Sequence, residues 1–275
     1  MSTSGSVRIA SGLAALWLAA GAAAIALPGL PAMERSQDPG VRITYLYDNT
    51  AAVQGVRADW GFACLVEGRG ARLLFDTGTK PDVLTHNAQA LHVDLARLDA
   101  VVLSHDHGDH TAGFPALGPR PGLPVFYAQG FNPAVVAALR GSGARLMPVS
   151  QSVEVLPGFH TSDEFGTTIK EEALLVDTPD GLVVIVGCSH PGIVPMLKQI
   201  TASTGRPIHT VLGGFHLVQT PADEVKRIVA AFKELGVGRV GPTHCTGPDA
   251  IARFKDAFGD RFIQGGVGTV VTARR

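Results

Sequence analysis

Polar and apolar positions along this chain change period several times, and each change marks an element. Alternation in Val41-Arg42-Ile43-Thr44-Tyr45-Leu46-Tyr47 predicts a first strand, and residues 62–66 with 72–75 predict a hairpin around Glu67-Gly68-Arg69-Gly70. Further on, the period lengthens to the helical one. Pro81 opens one helix, and Asn132-Pro133 caps another that runs to Leu139 and stops at Gly141. A third follows His190 through Met196, Leu197 and Ile200 to Gly205. The clearest begins at Thr220, whose hydroxyl caps it, with Pro221 at the first helical position and Asp223 at a box-like spacing. Its stripe is Val225, Ile228, Val229, Phe232 and Leu235, before Gly236. A last helix starts at Gly247-Pro248 and turns Ile251, Phe254 and Phe258 inward before Gly259. Early β structure therefore gives way to mixed α/β structure, with no internal repeat.

The first 33 residues carry a single charge, Arg8, followed by an apolar run from Ile9 to Leu27 broken only by Ser11, Gly12 and Gly21. This is the pattern of an export signal, with a small-residue cleavage site at Ala24-Ile25-Ala26. As a helix the run would span about 28 Å, close to the thickness of the hydrocarbon layer, so an uncleaved membrane anchor is the alternative. In both cases the domain is expected outside the cytoplasm: periplasmic, secreted, or anchored and facing outward. Residues 34–40 are polar and turn-rich, which makes them a linker to a domain over residues 41–275.

Candidate chemistry sits at the ends of the apolar runs. His105-Asp106-His107-Gly108-Asp109-His110 follows directly on Asp99-Ala100-Val101-Val102-Leu103-Ser104, a β-branched run with the character of a buried strand. Imidazoles and a carboxylate suit zinc, iron or manganese, and H-x-H-x-D-H lets alternate residues face two neighbouring ions. Three later histidines also follow apolar runs: Gly187-Cys188-Ser189-His190, Gly213-Gly214-Phe215-His216 and Pro242-Thr243-His244-Cys245. Two of the predicted helices begin close to these residues, and their N-terminal N–H groups favour an anionic group such as phosphate or carboxylate.

Composition narrows the classes. A hydrophobic share of 45% excludes a disordered or fibrous chain. Lys and Arg number 23 against 24 acidic residues, which leaves no electrostatic footprint for nucleic acid; the expected partner is a small molecule, with an anionic one favoured by the helix N-termini. An odd count of 3 cysteines does not make a disulfide framework. Cys64 lies in a strand-like run and reads as a small buried residue. Cys188 and Cys245 belong near the metal edge as a ligand, as support behind the ligands, or as a disulfide pair. Oligomeric state leaves no trace in the sequence.

With Leu74-Phe75-Asp76-Thr77-Gly78 upstream, the H-x-H-x-D-H segment resembles the metallo-β-lactamase superfamily of metallohydrolases. Gly187-Cys188-Ser189-His190-Pro191-Gly192-Ile193-Val194, Gly214-Phe215-His216-Leu217 and Pro242-Thr243-His244-Cys245-Thr246-Gly247 resemble its branch of dihydropterin (ribofuranosyl)aminobenzene phosphate synthase-like proteins. The resemblance covers about residues 41–275 and implies an α/β fold, an αββα sandwich with two divalent metal ions at one edge. It assigns His105 and His107 to the first ion and Asp109 and His110 to the second. His244 then completes the second site, and His190 is the third protein ligand of the first. Zinc is the expected ion, with manganese or iron as alternatives.

The chain departs from the family at the late carboxylate that normally bridges the ions. Leu182-Val183-Val184-Ile185-Val186-Gly187 leads instead into Cys188, so Cys188 or His190 occupies that position, and a thiolate there favours zinc. Asp109 and His216 are the expected catalytic residues. Asp109 holds and orients the nucleophile, while His216 ligates metal, donates a proton to a leaving group, or hydrogen-bonds the substrate. Asp76 is expected to buttress the ligand loop, because a ligating histidine needs its other nitrogen paired. The resemblance therefore implies an exported metal-dependent hydrolase that uses a bridging hydroxide on an ester or phosphoester. Its alternatives are a dihydropterin synthase-like transferase acting on a phosphorylated sugar, and a non-enzymatic metal-binding protein.

Overall fold

A computed structural model describes residues 40–274. The export segment 1–33 and the linker up to residue 39 lie outside the described residues. The chain runs β1 (Val41–Tyr47), β2 (Ala63–Gly68), β3 (Ala71–Phe75), α1 (Pro81–Ala90), β4 (Ala100–Leu103), α2 (Gly108–Thr111), β5 (Pro124–Ala128), α3 (Pro133–Arg140) and β6 (Arg145–Val149). It continues with β7 (Glu154–Leu156), β8 (Phe159–Thr161), β9 (Leu174–Thr178), β10 (Gly181–Val186), α4 (Ile193–Thr204), β11 (Ile208–Gly214), α5 (Ala222–Glu234), β12 (Arg239–Thr243), α6 (Pro248–Phe258) and β13 (Val270–Ala273).

The strands form two sheets, ordered β13-β1-β2-β3-β4-β5-β6 and β12-β11-β10-β9-β8-β7. Alternation along each strand decides which layer its side chains enter. From β10, Val183 and Ile185 meet Ile43, Tyr45, Phe75 and Val102 of the first sheet in a core between the sheets. Leu182, Val184 and Val186 point the other way, into a second core under α4, α5 and α6. The outer face of the first sheet is covered in the same manner by α1 and α3. An αββα sandwich follows, and a strand buried on both faces reads as a continuous apolar run rather than an alternating one. In β1 a bulge between Tyr45 and Tyr47 shifts the phase, so Tyr47 joins Leu46 on the outer face.

Local expectations fail at one helix start and at Ile251 of α6, which is half-buried and stands outside the core that Phe254 and Phe258 join. Thr220 does not cap α5; Pro221 is the N-cap, and no side chain accepts from the first turn. The hydroxyl-based start fails because Pro221 stays extended, at ψ 144°, and delays the helix by one residue. Val225, Val229 and Phe232 of the stripe are buried, and Ile228 and Leu235 pack at its margin. Among the described residues no helix is long and apolar enough to cross a membrane.

Candidate metal centre

Strands β3, β4 and β5 are parallel to one another, and so are β10, β11 and β12. Asp76, residues 104–110, Cys188, His216 and His244 each follow the C-terminal end of one of these strands, so one edge of the sandwich gathers all of them. Close approach between the two sheets is required there. A Cβ on Gly187 would collide with Ser104 Oγ and lie 3.1 Å from His105 Nδ1, so any larger residue would push the two ligand loops apart. Strain concentrates at the same edge: Asp76, Ser189, His216 and His244 all adopt positive φ without being glycine.

Three of the histidines are fixed through Nδ1. His110 Nδ1 lies 2.7 Å from Asp76 Oδ2, His105 Nδ1 lies 2.9 Å from Ser104 Oγ, and His244 Nδ1 lies 3.0 Å from Asn49 Oδ1. Asp76 also accepts from Ser104 N and Ser104 Oγ, at 2.7 and 2.8 Å, so one buried carboxylate supports both His105 and His110. The opposite nitrogens are left free: His105 Nε2, His190 Nε2 and His244 Nε2 are buried and have no hydrogen-bond partner.

Two donor sets result, each with atoms mutually within 4.8 Å. One comprises Asp109, His110, Cys188 and His244; the other comprises His105, Cys188 and His190. His107 stands outside both sets, with its ring 4.7 Å from the rings of His105 and His190. Cys188 belongs to both, and its Sγ lies 3.3 Å from His110 Nε2. His216 and Cys245 form a third set with Cys188, its atoms again within 4.8 Å of one another. All three cysteines are free thiols, so Cys188 and Cys245 are neighbours without a disulfide.

These residues fit metal ions. His244 Nε2 sits 3.1 Å from Asp109 Oδ2. With the His244 proton on Nδ1 facing Asn49, both atoms present lone pairs, an approach that a cation between them, a metal ion or a second proton, relieves. Buried imidazole nitrogens with no partner are costly in an apolar setting and natural for ligands whose other nitrogen is hydrogen-bonded.

The electrostatics agree. Burial, reinforced by the surrounding histidines, holds His105 well below its usual pKa and lowers His190 to about 4, so both are neutral and ready to bind at pH 7. Burial would also lower His110, but the Asp76 carboxylate overrides it and raises this group to about 9. Burial pushes Asp109 upward, while His244 and His110 together hold it below the usual carboxylate range. An incoming ion would thus meet an ionised Asp109 and displace a proton from His110.

Several supporting residues escape sequence reading. Trp60, 51% exposed, donates from Nε1 to Asp109 Oδ2 at 2.8 Å and lays its ring 4.8 Å from that of His244. Asn49 braces His244, and Asp48 accepts from Thr243 Oγ1 just before it. Asp48-Asn49 do follow an apolar strand directly, the signal that picks out the histidine loops. Glu171 is wholly buried and accepts from the backbone of the loop carrying Cys188 and His190. Nothing in its local sequence marks it. Beside His190 and His216 opens a cavity of about 620 Å³, lined by Phe165, Thr167, Thr168, Pro191 and Met196 among others; among the described residues the two histidines are its only ionisable side chains.

Residues 61–252 match the metallo-β-lactamase superfamily. The chain is 26% identical over 258 residues to the 7,8-dihydropterin-6-methyl-4-(β-D-ribofuranosyl)-aminobenzene-5'-phosphate synthase of Methanocaldococcus jannaschii, covering 76% of this chain and 88% of that protein. It is also similar to the crystal structure of Tm1679, a metal-dependent hydrolase of the β-lactamase superfamily. That similarity has a TM-score of 0.72 and 29% identity, over 86% of this chain and 100% of the other. YhfI from Bacillus subtilis, a metallo-β-lactamase fold protein, shares the fold at a TM-score of 0.61 and 16% identity, over 86% of this chain and 100% of its own.

Proposed function

The chain belongs to the metallo-β-lactamase superfamily, and on that premise we propose that it is a metal-dependent hydrolase of an ester or phosphoester of a small molecule. The observation that carries this reading is the set of buried, unpartnered Nε2 atoms of His105, His190 and His244 beside Asp109 and Cys188. His105, His107 and His190 would hold one divalent ion, and Asp109, His110 and His244 the other, with Cys188 between them. Zinc suits this mixture of thiol and imidazole better than manganese or iron. Such an ion pair, when bound, supplies the positive charge that brings a water's pKa toward neutrality and steadies charge developing on the substrate.

The side chains do the rest. Trp60 fixes one oxygen of Asp109, so this carboxylate orients the attacking water and accepts its proton. His216 is exposed, with its ring 4.3 Å from that of His190 at the cavity wall, where it can pass a proton to a leaving group. The cavity offers hydroxyls from Thr167 and Thr168 and apolar walls from Phe165 and Met196. Among the described residues it has no cationic side chain apart from the histidines, so an anionic part of the substrate would lie against the metal edge.

Metal-stripped protein reloaded with zinc, manganese or iron and assayed on a panel of esters and phosphoesters tests the reading. Turnover restored by metal and abolished by chelator is expected; metal-free turnover at the same rate would refute it. A second reading is favoured by the 26% identity to the dihydropterin synthase of M. jannaschii: group transfer from a phosphorylated sugar at the same centre. Reaction in 18O-labelled water separates the two, because hydrolysis places label in a product and transfer to another acceptor does not. Export is a further proposal resting on the apolar run in residues 9–27, and fractionation of the full-length chain tests it.

A further inference from the structure

Glu171 is fully buried and belongs to none of the donor sets. Its Oε1 accepts from Cys188 N at 2.9 Å and from Ser189 N at 2.7 Å, while Oε2 accepts from His190 N at 2.8 Å. Three consecutive N–H groups therefore converge on one carboxylate. They can do so because Ser189 takes a left-handed conformation, φ 62°, which turns successive amides to the same side and forms the kind of concavity that binds anions. Here the protein supplies the anion itself. Glu171 is held in place by paired backbone hydrogen bonds with Phe165, at 2.8 and 3.1 Å, and the loop is tied down again by Ser189 Oγ donating to Gly214 O at 2.8 Å.

A buried carboxylate is expensive to desolvate unless it is fully hydrogen-bonded. Packing alone would be served as well by an apolar side chain, but that would leave three amides unsatisfied. The other histidines show what the arrangement accomplishes. His105, His110 and His244 are each oriented by a side chain at Nδ1. Among the described residues His190 has no such partner, so its position is set through its backbone.

We infer that Glu171 is a positioning residue for the metal centre: by closing the 188–190 amides around its carboxylate it sets the affinity of the ion held by His105, His107 and His190. The inference rests on the two-ion reading above. The second ion is anchored independently, through Asp76 behind His110, Asn49 behind His244 and Trp60 on Asp109. Loss of Glu171 should thus be selective, weakening one ion and sparing the other.

The test uses the full chain loaded with zinc or cobalt and dialysed against buffered free metal, with content read by elemental analysis and cobalt absorption. Wild type should hold two ions. Glu171→Ala should hold one, with the other weakened by about 10- to 100-fold, the range typical of partners behind ligating groups. Formate, a small carboxylate that can occupy the vacated amides, should restore the first ion to this variant, and neutral formamide should not. In Glu171→Gln the remaining oxygen can keep two amides, but its NH2 faces the His190 N–H, so this variant too should lose the first ion while staying folded. Glu172→Gln is the control: Glu172 is equally buried, its carboxyl oxygens meet no donor, and both ions should remain.

Two ions at wild-type affinity in the folded Glu171 variants would overturn the inference and leave the two-ion reading standing. So would equal loss in Glu172→Gln, or unfolding of both Glu171 variants with no response to formate. A wild-type chain that binds no metal would overturn both.

Discussion

In the first half of the chain a single loop, residues 105–110, carries four candidate ligands, and one buried carboxylate, Asp76, reaches two of them directly or through Ser104. In the second half three separate loops, after β10, β11 and β12, bring the remaining candidates, and no single residue supports them: Asn49 braces His244, and Glu171 the loop of Cys188 and His190. The first arrangement is compact and braced by side chains. The second is assembled by the register of parallel strands and braced partly through the backbone. Damage to the compact half should therefore spread to the whole centre, while damage to the assembled half should stay local.

The largest effect is expected at Asp76. Asp76→Ala removes the carboxylate from a fully buried pair with His110 and leaves Ser104 unsatisfied, so the metal-free protein should lose about 3–5 kcal/mol of stability. A denaturant titration reads this directly, and both ions should be lost together. A loss of under about 1 kcal/mol would mean that the two halves do not differ in the way described.

His107→Ala comes next. This residue is the N-cap position of α2, yet its side chain caps nothing, so the fold should be retained while metal content and turnover fall sharply. Normal metal content by elemental analysis would remove His107 from the ligand set.

The extent to which each half is legible in sequence follows from the same contrast. Contiguity made residues 105–110 readable, because ligand spacing within one loop is a local property. The apolar stripe of α5 was readable for the same reason, whereas the αββα layering came from the family resemblance and not from spacing. By contrast, Trp60 and Glu171 act on residues 49 and 17 to 19 positions away, and no local pattern distinguishes them from other surface or core residues. Short strands were also hidden. β7 and β8 have 3 residues each, and β6 carries Pro148 at the sheet edge, where a proline is tolerated but weakens the strand pattern. Thr220 misled because a hydroxyl before a proline resembles a cap whether or not the chain turns there.

A smaller and more specific change is expected from Asp109→Asn. The amide keeps the Trp60 contact in shape but cannot take a proton, so turnover number should fall more than the Michaelis constant rises. An unchanged turnover number with a raised Michaelis constant would assign Asp109 to binding instead.

The mildest effect concerns pH. His110 is raised from 6.5 to about 9 in the folded, metal-free protein, so the folded state binds more protons than the unfolded chain between these values. Its contribution is fully present below about pH 6.5 and is lost as pH climbs through 9. The melting temperature of the stripped protein should therefore decline over this window, and metal should abolish the decline by replacing the proton. A flat profile in the stripped protein would show that Asp76 does not hold His110 as described.

Anomalous diffraction from crystals of the zinc-loaded protein tests the central claim most directly. Two peaks are predicted, one bounded by His105, His107 and His190 and the other by Asp109, His110 and His244, with the Cys188 sulfur between them. A single peak away from these side chains, or none at full zinc loading, would contradict the account.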